Sequence, residues 1–216
     1  MKRLAHALFV PFAAIEFLRF YLSRVLLGEE RAFLGFTERL ALGSGYYGVY
    51  LRAVAYRLAL SSCSRDVHIG FGTVFSRRAA TLGDHVYIGR HCSLGWVVID
   101  RDVMIADLVA IPSGGNTHVV SGSSAIPPRH ADNSFRPVHI GEGTWVGTKA
   151  VILGDVGRFC VIGAGAVVTT SIPDYSIAVG VPARVVGSTL TTGHEAAREA
   201  PPAHASRSRS TATRPN

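Results

Sequence analysis

The chain has 216 residues, 48% of them apolar, and a formal net charge of +7. That length and composition allow one domain with a sizeable core and appendages, and the charge is too diffuse to mark a nucleic-acid-binding protein. Three cysteines leave at least one unpaired, which fits a reduced, cytoplasmic protein rather than a disulfide framework.

Residues 1–62 read as a helical segment. Leu4, Leu8, Phe12, Ile15, Leu22 and Leu26 follow a helical spacing, and Pro11 is expected to distort or break that helix near its middle. Glu16, Arg19 and Arg24 interrupt the apolar stretch too often for a bilayer span, and no small-residue cleavage site follows that would make it a signal peptide. Two readings stand open for this segment. In one, it packs on the following repeats and shields their end. In the other, residues 1–27 make peripheral contact with the inner face of the membrane, with Phe9, Phe17, Phe20 and Tyr21 inserting and Lys2, Arg3, Arg19 and Arg24 facing anionic lipid. Residues 43–60, GSGYYGVYLRAVAYRLAL, read as a turn and a second helix leading into the repeats.

From residue 63 a six-residue period takes over. An apolar residue recurs at Ile69, Phe75, Leu82, Ile88, Leu94, Ile99, Ile105 and Ile111, and again at Ile140, Val146, Ile152, Val156, Ile162 and Val168. Glycine directly follows many of them, as at Gly70, Gly89, Gly141 and Gly163. Small or β-branched residues sit a few positions on, among them Thr73, Cys92, Val109, Thr144, Ala150 and Ala166. A period of six cannot be a helix face; it is the pattern of a parallel β-helix built from hexapeptides, three to a coil. The apolar residues should point to the axis, and the glycines are expected to supply the positive φ of the corners. Fourteen hexads make four to five coils and a column about 20 to 25 Å tall. Cys92 and Cys160 fall at small core positions and read as inert thiols.

The period stops after Ile111 and resumes at Ile140, and residues 117–137 form an excursion from the column. Polar side chains in a break of a rigid scaffold are a frequent place for function. His118 follows Ser113-Gly114-Gly115-Asn116-Thr117 close to that rigid body. A histidine there suits a general base near neutral pH, although composition alone favours a surface loop residue.

The run HIGEGTWVGTKAVILGDVGRFCVIGAGAVVTTSIPDYSIAVGVPARVV, residues 139–186, resembles the C-terminal half of the hexapeptide-repeat acyltransferases, especially sugar O-acetyltransferases of the maltose, galactoside and nodulation-factor type. The resemblance covers residues 65–186, while the helical N-terminal segment is similar to those of polysaccharide-assembly acetyltransferases. It implies a left-handed parallel β-helix, a handedness that only the resemblance supplies. It also implies a homotrimer, acetyl-CoA bound in the groove between neighbouring columns, and no metal. In that family the catalytic histidine lies in the loop before the IGxxxWxG coil, and His118 matches it. Direct attack of an acceptor hydroxyl on the thioester then needs no acyl-enzyme. The family's CoA strip corresponds to Trp145, Gly147, Gly163, Ala164, Thr169, Thr170, Pro182 and Arg184. Thr169-Thr170 stands where many relatives have Thr-Lys, which leaves Arg184 or Arg158 to meet a CoA phosphate. The coil at Ile152-Leu153-Gly154-Asp155 is two residues short of a hexad.

The expected activity is therefore transfer of an acetyl group from acetyl-CoA to a hydroxyl of a sugar or sugar-derived acceptor. Asp107, Asn116, Arg129, His130 and Arg136 are candidate acceptor contacts, with Arg129 and Arg136 suited to a phosphate on a nucleotide sugar or lipid-linked sugar. Two alternatives are a non-catalytic scaffold on the same fold and a zinc enzyme of the γ-carbonic-anhydrase type. For the latter, His85 and His91 fall on adjacent faces of one coil, and His118, His130 and His139 lack the short spacing of a tight metal site. Residues 187–216, rich in Ser, Thr, Ala, Pro and Arg, are expected to be disordered.

Overall fold

The computed structural model describes residues 2–113 and 135–190. After three helices, the chain winds into a three-faced parallel β-helix of about five turns. Face one stacks Ser62–Cys63, Thr81–Leu82, Val97–Ile99 and Val138–Ile140. Face two stacks His68–Ile69, Tyr87–Ile88, Met104–Ile105, Trp145–Val146, Val161–Ile162 and Ser176–Val179. Face three stacks Val74–Phe75, Ser93–Leu94, Ala110–Ile111, Val151–Ile152 and Val167–Val168.

All fourteen apolar positions of the six-residue period point inward, each 0–1% exposed. Small neighbours fill the narrow corners beside them, and two also tie coils together. Thr73 Oγ1 donates to the Gly89 carbonyl at 2.7 Å and accepts the Cys92 N–H at 3.0 Å. Thr144 repeats the device with Gly157 and Cys160.

The corner glycines follow a different rule from the one expected. Gly89 and Gly141 are not in the left-handed region; a Cβ there would lie 2.5 Å from Asp107 Oδ1 and 2.5 Å from the Arg158 nitrogen, on the next coil. Glycine is required because stacked corners approach too closely for a side chain. Positive φ falls two residues later, at Gly72 and Gly143 but also at His91 and Phe159.

Register shows how the break is accommodated. On face two, His68, Tyr87, Met104, Trp145, Val161 and Ile177 lie in register, so successive steps are 19, 17, 41, 16 and 16 residues. The long step contains the excursion, and the 16-residue steps contain the shortened coils around Gly154 and after Val168. After the last coil, Arg184–Ser188 turns back antiparallel onto Ser176–Val179. The last strand thus runs two residues past the expected end of the column at 186, because the last coil otherwise leaves an unpaired edge. Residues 191–216 lie outside the described part.

The opposite end is covered by helices α1 (Lys2–Leu27), α2 (Glu29–Ala41) and α3 (Gly45–Ala59). α2 was not anticipated, although Phe33, Phe36 and Leu40 give it a buried stripe and Glu29 and Glu30 suit its N-terminal dipole. α1 runs straight through Pro11 rather than breaking there. The lost N–H bond costs about 3 kcal/mol, against which α1 buries Ala13 and Phe20 and packs Phe9 and Phe17 on the core. Aromatic contacts carry that core into the column, with Phe20–Phe36 at 5.6 Å, Phe36–Tyr56 at 6.2 Å and Tyr56–Phe75 at 4.8 Å between centroids.

Polar groups at the end coil are met by the same helices. The Gly72 N–H donates to the Ala41 carbonyl at the end of α2. Fully buried Arg52 donates from Nε to the Ile69 carbonyl at 2.8 Å, and through a second nitrogen to the Leu40 and Gly43 carbonyls at 3.1 and 2.6 Å. Burial pulls its pKa below the usual guanidinium value.

Candidate active site

The column is interrupted at one corner of face three, where the described chain leaves at Ser113 and returns at Phe135. A groove of about 620 Å³ lies against that corner. Its floor is the outward side of face three, where Ser93, Ala110 and Val151 stack in register. None carries a large side chain, so a ligand can approach the backbone closely. Pro112, Ser113 and Phe135 form the edge at the break, and Glu30, Arg31 and Leu34 of α2 form the facing wall with Arg77.

Local contacts hold both ends of the interruption. Ser113 is buried, and its hydroxyl accepts the Trp96 N–H at 2.9 Å. The Arg77 guanidinium lies 4.2 Å from the centre of the Phe135 ring and pairs with Glu30. On the return, Arg136 pairs with Asp155 at 3.3 Å, and Asp155 also accepts the His139 N–H. Asn116, His118, Arg129 and His130 lie outside the described residues.

Asp107 sits one face earlier, at the corner between faces two and three. Its carboxylate accepts the Arg90 N–H at 2.8 Å and pairs with the Arg90 guanidinium. Asp155 and Asp174 cap the N–H of the preceding coil in the same way. Asp107 therefore has a structural duty in the column.

The strip matched to CoA contacts divides between two corners. Gly147 packs against Ala164, and the chain at Gly180–Ala183 joins the same edge through bonds between Val167 and both Gly180 and Ala183. Gly163 packs beneath Val179. Trp145 is half-exposed on face two, between Met104 and Val161. Thr169 and Thr170 are exposed past the far edge of face three, where Gly154 packs against the Thr170 carbonyl. Pro182 and Arg184 are exposed at the closing turn. Arg158 is engaged with Asp174 at 2.9 Å.

Other reactive groups have local partners or are buried. Burial pushes the Cys63 thiol up to about 12 and raises those of Cys92 and Cys160. None of the three is poised as a nucleophile. His85 lies 3.0 Å from Asp102, and His139 lies 3.2 Å from Asp100. Among the described residues no group of three or more His, Cys, Asp or Glu side chains is arranged to hold a metal ion. The sequence reading missed the α2 wall, whose one local signal was the acidic pair Glu29-Glu30 opening an apolar periodic stretch.

No family model matches the chain. A Mycobacterium tuberculosis protein named as an acetyltransferase, Rv3034c, is 36% identical over 146 residues, covering 64% of this chain and 47% of its own length. WbbJ of Escherichia coli, named as an O-acetyl transferase of lipopolysaccharide biosynthesis, is 33% identical over 123 residues, covering 54% of this chain and 61% of its own. The chain thus spans about half to three-fifths of these curated relatives. Among solved structures, a maltose O-acetyltransferase from Clostridium difficile superposes with a TM-score of 0.62 at 24% identity, over 76% of this chain and 88% of that one. A hexapeptide-repeat acetyltransferase from Vibrio cholerae, solved with acetyl-CoA, gives 0.58 at 18% identity over 75% and 90%. The shared architecture is the left-handed parallel β-helix. The chain is thus similar in sequence to proteins named as acetyltransferases and shares its β-helix fold with hexapeptide-repeat acetyltransferases.

Proposed function

We propose that the protein is a CoA-dependent O-acetyltransferase acting on a hydroxyl of a sugar or sugar-derived acceptor, with His118 as general base. The observation that carries this reading is the groove at the break. Its floor is free of bulky side chains, and the segment bearing His118 leaves and rejoins the column at its edge. His118 follows Ser113, a residue of the groove's edge, by five residues in the sequence.

In the proposed reaction the neutral imidazole takes the acceptor's hydroxyl proton as its oxygen attacks the thioester carbonyl. Backbone N–H groups hold the resulting oxyanion. Collapse of the tetrahedral intermediate breaks the carbon–sulfur bond, and the CoA thiolate leaves with the proton from the imidazolium. In this reading the protein acts as a homotrimer, with CoA along the Gly147–Ala164–Pro182 edge between neighbouring columns and Arg184 near its phosphates.

The test is release of free CoA thiol by the full chain from acetyl-CoA, against sugars, nucleotide sugars and lipid-linked sugars. His118→Ala should retain its thermal unfolding profile and lose about 10²- to 10⁴-fold in rate. Near-normal turnover by that folded variant would overturn the assignment.

A further inference from the structure

α1 is apolar on both sides, and only one side is covered. Ala13 and Phe20 are buried toward α2 and α3, with Phe9 and Phe17 packed beside them. On the opposite side Leu8, Phe12, Ile15, Leu22, Val25 and Leu26 form a continuous stripe, each 50–85% exposed. Tyr47 of α3 extends it, with its ring 6.2 Å from that of Phe12. A helix apolar all round is normally enclosed by protein or lipid, and an exposed patch of this size marks an interaction surface. No helix described is long and apolar enough to cross a membrane.

The charges identify the occupant. α1 carries Lys2, Arg3, Arg19 and Arg24 against a single acid, Glu16. That acid is turned away from the stripe, bonded to Arg39 of α2 at 2.9 Å and to Arg19 at 3.2 Å. Arg24 is drawn to α2, pairing with Glu29 at 3.6 Å, so the uncovered side combines an apolar ridge and aromatic rings with exposed Arg19, on a helix with four basic residues and one acid. Pairing with a second copy would bring together two helices that each carry an excess of basic residues. An anionic lipid surface instead accepts the ridge among its acyl chains and the basic residues among its headgroups. We propose that α1 lies in the plane of an anionic membrane surface and seats the protein there through the Leu8–Leu26 stripe.

The test uses the full chain and sedimentation with vesicles of phosphatidylcholine alone or mixed with phosphatidylglycerol. Binding to the mixed vesicles should be at least tenfold stronger than to the neutral ones and should weaken as salt rises. In Leu22→Glu/Leu26→Glu both replaced side chains already face water, so the unfolding temperature should hold while binding to mixed vesicles falls at least tenfold. Absence of binding to mixed vesicles, or equal binding by parent and variant, would overturn the proposal. So would a fall in solution mass for the variant by light scattering, because the stripe would then be covered by another copy.

Discussion

Replacing Arg52 by Met tests how the end of the column is closed. Within the ladder each coil's carbonyls accept N–H groups from the coil before, as Ile88 accepts from Gly70 and Ile105 from Gly89. The first coil has none before it, and Arg52 Nε supplies the donor for Ile69. In Arg52→Met the Ile69 and Gly43 carbonyls lose their guanidinium donors, whereas Leu40 keeps the Gly43 N–H at 3.2 Å. Two unsatisfied acceptors cost about 1–3 kcal/mol each, and relief from burying a charge offsets part of that. The expected net loss is about 2–4 kcal/mol. With a urea slope of about 2 kcal/mol per molar, the midpoint should fall by about 1–2 M at fixed protein concentration. Arg52→Lys keeps the charge without the fork and should fall between the two. An Arg52→Met midpoint within about 0.3 M of the parent at unchanged slope would refute this account of the end cap.

Two further outcomes follow from the coil packing and from the thiols. Gly89→Ala would place a methyl 2.5 Å from Asp107 Oδ1 and 2.7 Å from the Ala106 carbonyl carbon, and should cost about 1–3 kcal/mol as an overpacked contact; equal urea midpoints for parent and variant would contradict the close-approach explanation of the corner glycines. Because the thiolate is the reactive form and burial raises all three cysteine pKa values, alkylation at pH 8 should be slow in the native protein and reach three groups only in denaturant. A rapidly labelled native cysteine would count against the buried assignment.

The column was legible in the sequence because its period is local: an inward position every six residues depends on the geometry of a single coil. The cause of the glycines was not, since Gly89 is constrained by Asp107 and Ala106 seventeen or so residues later, through stacking that no local window contains. The α2 wall escaped for a related reason. Glu30 and Arg77 meet at the groove from positions 47 residues apart in the chain, and Phe135 joins them across the break. Pro11 misled because the local cost of proline is visible in sequence while the packing of Phe9, Ala13, Phe17 and Phe20 that outweighs it is tertiary.

The position of the break explains why a rigid column can carry a large insertion. On either side of it Val98 pairs with His139 and Ala110 with Val151, so every face resumes in register despite the 41-residue step. Hydrogen bonds bridge the same interval directly, from the Ala106 N–H to Val146 and from the Ala110 N–H to Ala150. The two halves of the core are therefore joined directly, coil to coil. The inward apolar positions on both sides of the break remain fully buried. Under the proposed reaction, a loss of turnover in His118→Ala without a loss of folding is read as a loss of the base.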